Sequence, residues 1–116
     1  MRYTPVDADG FALLDGLDDW RFVLGGLRAT FRLGSFSAAA AFAAEVAQLA
    51  DAADHHPDID LRYPGTVHLV ASTHAINGVS THDVDLARLV SGLAAQAGAV
   101  AEPDGNETAT RTSQDR

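Results

Sequence analysis

Five histidines stand in this 116-residue chain, and three of them could do chemistry together. His55 and His56 sit side by side before Pro57, and His74 closes an alternating apolar run. Imidazole titrates near neutral pH, so two or three imidazoles can give and take protons without large tuning. A reaction that removes one proton and delivers another suits such a set. The plainer account is a pair of helix-ending residues in solvent, because two adjacent histidines specify no reaction by themselves. At a helix end, the negative end of the dipole favours protonated imidazole, and Asp51, four residues before His55, is expected to hydrogen-bond it.

Other chemistries fit the spacing less well. Zinc ligands usually come as His-x-x-x-His on a helix or His-x-His on a strand, and adjacent histidines diverge. A triad of His55, His74 and a carboxylate is the remaining metal arrangement. Ser72 and Ser80 lack the Gly-x-Ser-x-Gly elbow of a nucleophilic serine. His68 shares a strand face with His74 but lies six residues away, roughly 20 Å along an extended strand, too far to reach the same reacting atoms. His82 falls in the first turn of a helix and reads as exposed. Asp83 fits the last position of a Ser-x-x-Asp capping box begun by Ser80.

Composition narrows the function classes. The formal charge is −8, and all eight cations are arginine, scattered from Arg2 to Arg116. Neither a nucleic-acid surface nor a polybasic membrane anchor is expected without clustered positive charge. Cysteine is absent, which excludes disulfides, thiolate catalysis and cysteine-bound metals. The opening residues hold no long apolar run, so neither a signal peptide nor a membrane span is predicted and the cytoplasm is the expected compartment. The sequon at Asn106 is then a chance match.

The elements that must position the histidines follow from periodicity. Residues 11–17 read as a helical turn with Phe11, Leu13, Leu14 and Leu17 on its apolar side. Runs at 20–24 and 27–33 flank Gly25-Gly26, a hairpin signal. Ser35 can cap a helix over Phe36–Ala53, with Phe42, Val46, Leu49 and Ala53 toward the core. Pro57 ends that helix by His55 or His56. Strands at 59–63 and 66–74 surround Pro64-Gly65, and Val67, Leu69, Ala71 and Thr73 form the inward face. A last helix runs from Ser80 to about Ala97 with Val84, Ala87, Val90 and Ala94 inward. One domain over residues 1–100 is predicted, with a disordered acidic and polar tail over 101–116. The order α-β-β-α-β-β-α indicates an α+β fold, an antiparallel sheet with helices on one face.

These residues resemble a known family, the pterin-4a-carbinolamine dehydratases. Its pattern of an acidic residue, His-His-Pro, an aromatic, a strand ending in His, and Asp runs here as Asp51, His55-His56-Pro57, Tyr63, His74 and Asp83. Trp20, Phe31, Phe36, Phe42 and Val46 also match family positions. The resemblance implies a four-stranded antiparallel sheet backed by helices, and loss of water from 4a-hydroxytetrahydropterin to give quinonoid dihydropterin, with no metal or redox cofactor. It implies His55, His56 and His74 as catalytic residues, the first and last as the acid–base pair and His56 shaping the pterin pocket. Asp51, Pro57, Ser72, Thr73 and Asp83 would bind or orient. A homodimer is expected, or a tetramer, with a pterin as the small-molecule partner and no direct contact with nucleic acid or membrane. The chain departs from the pattern by one extra residue near Pro64-Gly65, by Ala75-Ile76-Asn77-Gly78 after His74, and by His82 where arginine is common. Relatives that serve as a dimerisation cofactor for a transcription factor or assist Rubisco assembly imply the alternative, a binding or assembly module. A related carbinolamine is the alternative substrate.

Overall fold

The computed structural model describes residues 2–103, and the disorder predicted for 104–116 lies outside them. Asp7 caps α1 (Ala8–Ala12) by accepting from the Gly10 amide at 2.8 Å, so this helix starts before the predicted turn. Leu13 ends it. That early stop leaves Leu13 and Leu14 exposed, and of the predicted apolar side only Leu17 is buried, with Phe11 half-buried.

Strands β1 (Arg21–Val23) and β2 (Gly26–Arg32) form the first hairpin. Its turn is Leu24-Gly25, one residue earlier than predicted. Both residues adopt positive φ, 54° and 75°, as a two-residue hairpin loop requires. Gly26 serves a different need: a Cβ there would stand 3.1 Å from Val70 Cγ1, so its small size lets two strands approach.

Helix α2 spans Phe36–Ala53, as predicted, with the Ser35 side chain accepting from the Ala38 amide. Its inward face is Ala39, Phe42, Val46 and Ala50; Leu49 is half-buried and Ala53 is exposed, a rotation of the predicted stripe. Strands β3 (Asp58–Arg62) and β4 (Thr66–Ala71) follow, then a 3₁₀ turn at His74–Ile76 and α3 (Thr81–Ala97). A short β5 (Val100–Ala101), not predicted, pairs with Phe31 and Arg32 of β2. The chain therefore stays attached to the sheet at residue 101, where the tail was expected to begin.

All pairings are antiparallel, in the order β1-β2-β4-β3, with β5 also on β2. This is the predicted α+β arrangement, with α2 packed against β3 and β4 and α3 against β2 and β4. Alternation on β4 sends Val67, Leu69 and Ala71 inward against Leu27, Ala29 and Phe31 of β2. Trp20, Phe31 and Phe42 meet edge to face in this core, and Trp20 Nε1 donates to Ser91 Oγ on α3 at 3.0 Å. The Ser91 hydroxyl thus satisfies the one polar atom of the largest buried side chain. Among the described residues, no helix is long and apolar enough to cross a membrane.

On the opposite sheet face His68 lies between Thr30 and Asp60 in one cross-strand row, and its Nδ1 hydrogen-bonds Thr30 Oγ1 at 2.7 Å. Burial holds its imidazole below the ordinary value of 6.5, with Asp60 opposing that shift. The folded state therefore resists a proton that the unfolded chain accepts. Stability from this residue is present above the unfolded value and falls as pH drops toward the folded one. We expect the His68 resonance to titrate below 6.5 by NMR. The melting temperature of a His68→Gln variant should also fall less on acidification than that of the parent; an equal fall would contradict this.

Candidate active site

The site is built where the end of α2, the loop after β4 and the start of α3 meet. At the end of α2, Asp54 turns left-handed, with φ 52° and ψ 40°, and the His55 amide bonds back to the Ala50 carbonyl. That reversal separates the two histidines. His55 Nε2 reaches Asp83 Oδ1 at 2.5 Å, while His56 Nε2 turns back to Asp51 Oδ1 at 2.9 Å. Asp51 therefore partners His56 and not His55, correcting the expectation from helical spacing. The left-handed residue takes His55 off the helical surface on which that spacing is counted.

Asp83 is wholly buried, and its side chain does two jobs. As the third residue of α3, it accepts from the Ser80 amide at 2.9 Å and completes the predicted capping box. It also accepts from Thr73 Oγ1 at 2.7 Å and from His55. Since the Thr73 hydroxyl donates its one hydrogen to Asp83, the Ser80 hydroxyl 2.7 Å away must donate to Thr73. Three donors surround the carboxylate, the usual condition for keeping such a group out of water.

His55 is left with one free position. Its side chain is only 11% exposed. Among the described residues, nothing hydrogen-bonds Nδ1, and no buried side-chain polar atom lacks a partner, so Nδ1 opens to solvent. An imidazole oriented by a carboxylate through one nitrogen can exchange protons through the other. His56 and Asp51 form an exposed pair. Among the described residues, no three His, Asp or Glu side chains gather as metal ligands.

His74 begins the 3₁₀ turn and not the strand end, because β4 stops at Ala71 and Thr73 bridges to Gly78. Alternation still governs the pair of neighbours: Thr73 points inward and His74 is exposed. With Leu24, Gly25, Ser72, Thr73, Asn77 and Gly78, His74 lines a cavity of about 330 Å³. His55, His56 and Asp51 do not line that cavity; Thr73 is the link, since it lines the cavity and also holds Asp83. Pro57 is half-buried between His56 and β3.

Two features were missed. His82, predicted to be exposed, is half-buried with its ring 5.6 Å from that of His55. Tyr3 packs edge-on against His82 at 5.1 Å, and no spacing in the sequence signals this contact.

Fold and site together define a small α+β protein with a histidine–carboxylate pair between a helix end and a helix start. The family model for pterin 4 alpha carbinolamine dehydratase matches residues 7–93. A Streptomyces coelicolor protein carrying the provisional name of a pterin-4-alpha-carbinolamine dehydratase is 46% identical over 84 residues, 72% of this chain and 82% of its own. A Thermomicrobium roseum protein of the same provisional name is 40% identical over 88 residues, 76% and 94% of the two chains. The crystal structure of a transcriptional coactivator/pterin dehydratase from Brucella melitensis superposes with a TM-score of 0.71 at 29% identity, covering 78% of this chain and 99% of that one. The chain belongs to the pterin-4a-carbinolamine dehydratase family.

The buried and exposed carboxylates should respond differently to loss of a partner. Thr73→Val removes a donor to a buried charge and should cost about 1.5–3 kcal/mol of unfolding free energy in urea titrations. Asp51→Asn alters an exposed pair and should change stability by less than about 1 kcal/mol. Equal effects would contradict the division of roles.

Proposed function

We propose that this chain is a lyase that dehydrates 4a-hydroxytetrahydropterin to quinonoid dihydropterin. The observation that carries the reading is His55, held through Nε2 on buried Asp83 with Nδ1 left open. Hydroxide leaves C4a poorly, so one imidazole delivers a proton to the hydroxyl as the C4a–O bond breaks. The N5 lone pair forms the new N5–C4a double bond, and the N5 proton passes to a second imidazole. Water is the only other product, so electrons balance without a redox partner. His55 and His74 fill the acid and base roles, and His56 shapes the pterin pocket with Asp51 orienting it. Asp83 and Thr73 position His55, Ser72 lines the cavity beside His74, and Pro57 holds the chain where it leaves α2.

The description of the Brucella protein as a coactivator favours a second reading, a binding or assembly module. A scaffold has no need of an imidazole backed by a buried carboxylate. Ultraviolet absorbance with 4a-hydroxytetrahydropterin separates the two. The parent should accelerate dehydration, and His55→Ala and His74→Ala should each lower kcat by about 100- to 10,000-fold. No acceleration over buffer, with a stoichiometric macromolecular partner co-purifying, would favour the module instead.

A homodimer belongs to the same reading. Among the described residues, strand β3 is bonded to β4 on one side only, and its other edge could take a second copy. Sedimentation should give twice the 12.2 kDa chain mass; a monomer at all concentrations would refute the assembly.

A further inference from the structure

His55 has one hydrogen bond to a side chain, and one bond fixes a direction but not a plane. Because Cγ is also tethered to Cβ, the freedom that remains is a small swing about the Cβ–Cγ bond, which tilts Nδ1 and bends the bond to Asp83. What restrains that swing is the His82 ring, tilted 38° to His55 with centroids 5.6 Å apart. The His82 ring is in turn met by the edge of Tyr3, at 5.1 Å and 70°. Tyr3 comes from a segment tied down by backbone bonds and by Val6, which packs against the core: Val6 donates to the Val79 carbonyl at 2.8 Å, Thr81 donates to the Thr4 carbonyl at 3.0 Å, and Pro5 bridges to Ser80. This strap binds the residues that begin α3, the helix bearing both Asp83 and His82. Tyr3 also lies ahead of residues 7–93, the part matched to the family model.

We infer that Tyr3 and His82 are positioning residues for His55, a three-ring stack of one tilted and one edge-on contact that restrains the imidazole and makes the N-terminal strap part of the site. Tyr3 acts through His82, and His82 through ring contact with His55. The inference rests on the proposed dehydratase reading for its catalytic consequence but not for its geometry. One tilted and one edge-on contact in series restrain Nδ1, and orientation of a proton-transfer group governs turnover more than ground-state binding.

The test reads both levels. In dehydration assays, Tyr3→Ala and His82→Ala should each lower kcat about tenfold with KM within twofold, while Tyr3→Phe, which keeps the ring edge, should retain parental kcat. The double variant should be no worse than His82→Ala, because among the described residues the Tyr3 ring meets the His55 ring by way of His82. Separately, in the absence of pterin, the His55 imidazole Cε1–H resonance should shift and broaden in Tyr3→Ala but not in Tyr3→Phe. Unfolding in urea checks that each variant is folded. An unchanged His55 resonance in folded Tyr3→Ala, or additive losses in the double variant, would overturn the inference. A changed resonance in a protein with no dehydratase activity would instead support the stack and remove the dehydratase reading.

Discussion

Everything at the site depends on one carboxylate kept from water. A charged side chain with no solvent exposure is costly unless donors replace its hydration, and Asp83 has three. They come from different parts of the chain: His55 after α2, Thr73 after β4, and the Ser80 amide at the start of α3. Removing any one leaves the other two holding a carboxylate with an unmet lone pair. The group thereby ties helix ends and a loop together at the same atoms that orient an imidazole. Stability and the capacity for proton transfer share one source.

The sheet supplies the second constraint. The period of two along β4 sorts its residues into Val67, Leu69 and Ala71 on the core side and Thr66, His68 and Val70 on the other. Continued past the strand end, the same alternation puts Thr73 inside, on Asp83, and His74 outside, at the cavity. Neighbouring residues thus face two surroundings, one dry and one wet. The aromatic chain from Trp20 through Phe31 to Phe42 keeps β2 and α2 in place beneath them.

Much of this was legible in the residues. The bounds of α2 followed from Ser35 and Pro57, because capping and the missing amide of proline act over a few residues. The capping box at Ser80 and Asp83 was legible for the same reason, as was the inward set on β4. Errors arose where a local rule met a distant neighbour. The Gly25-Gly26 pair predicts a turn at both glycines, but Val70 on another strand requires the smallness of Gly26, and Leu24 takes the left-handed position instead. Helical spacing pairs Asp51 with His55, but that spacing ceases to apply once Asp54 turns left-handed. Strand β5 was missed because two residues carry too little pattern to announce a strand.

The sequence by itself determined the α+β order, the limits of α2 and α3, the inward sets of β4 and α3 and which histidines are worth following, since all of these rest on short-range sterics and periodicity. Only the tertiary structure decided the partners. Asp83 supports His55, the His82 ring meets that of His55, and the Tyr3 ring meets that of His82, through contacts spanning 28, 27 and 79 positions of chain. Such contacts are set by how helices and strands pack as whole bodies. No spacing between neighbouring residues encodes them.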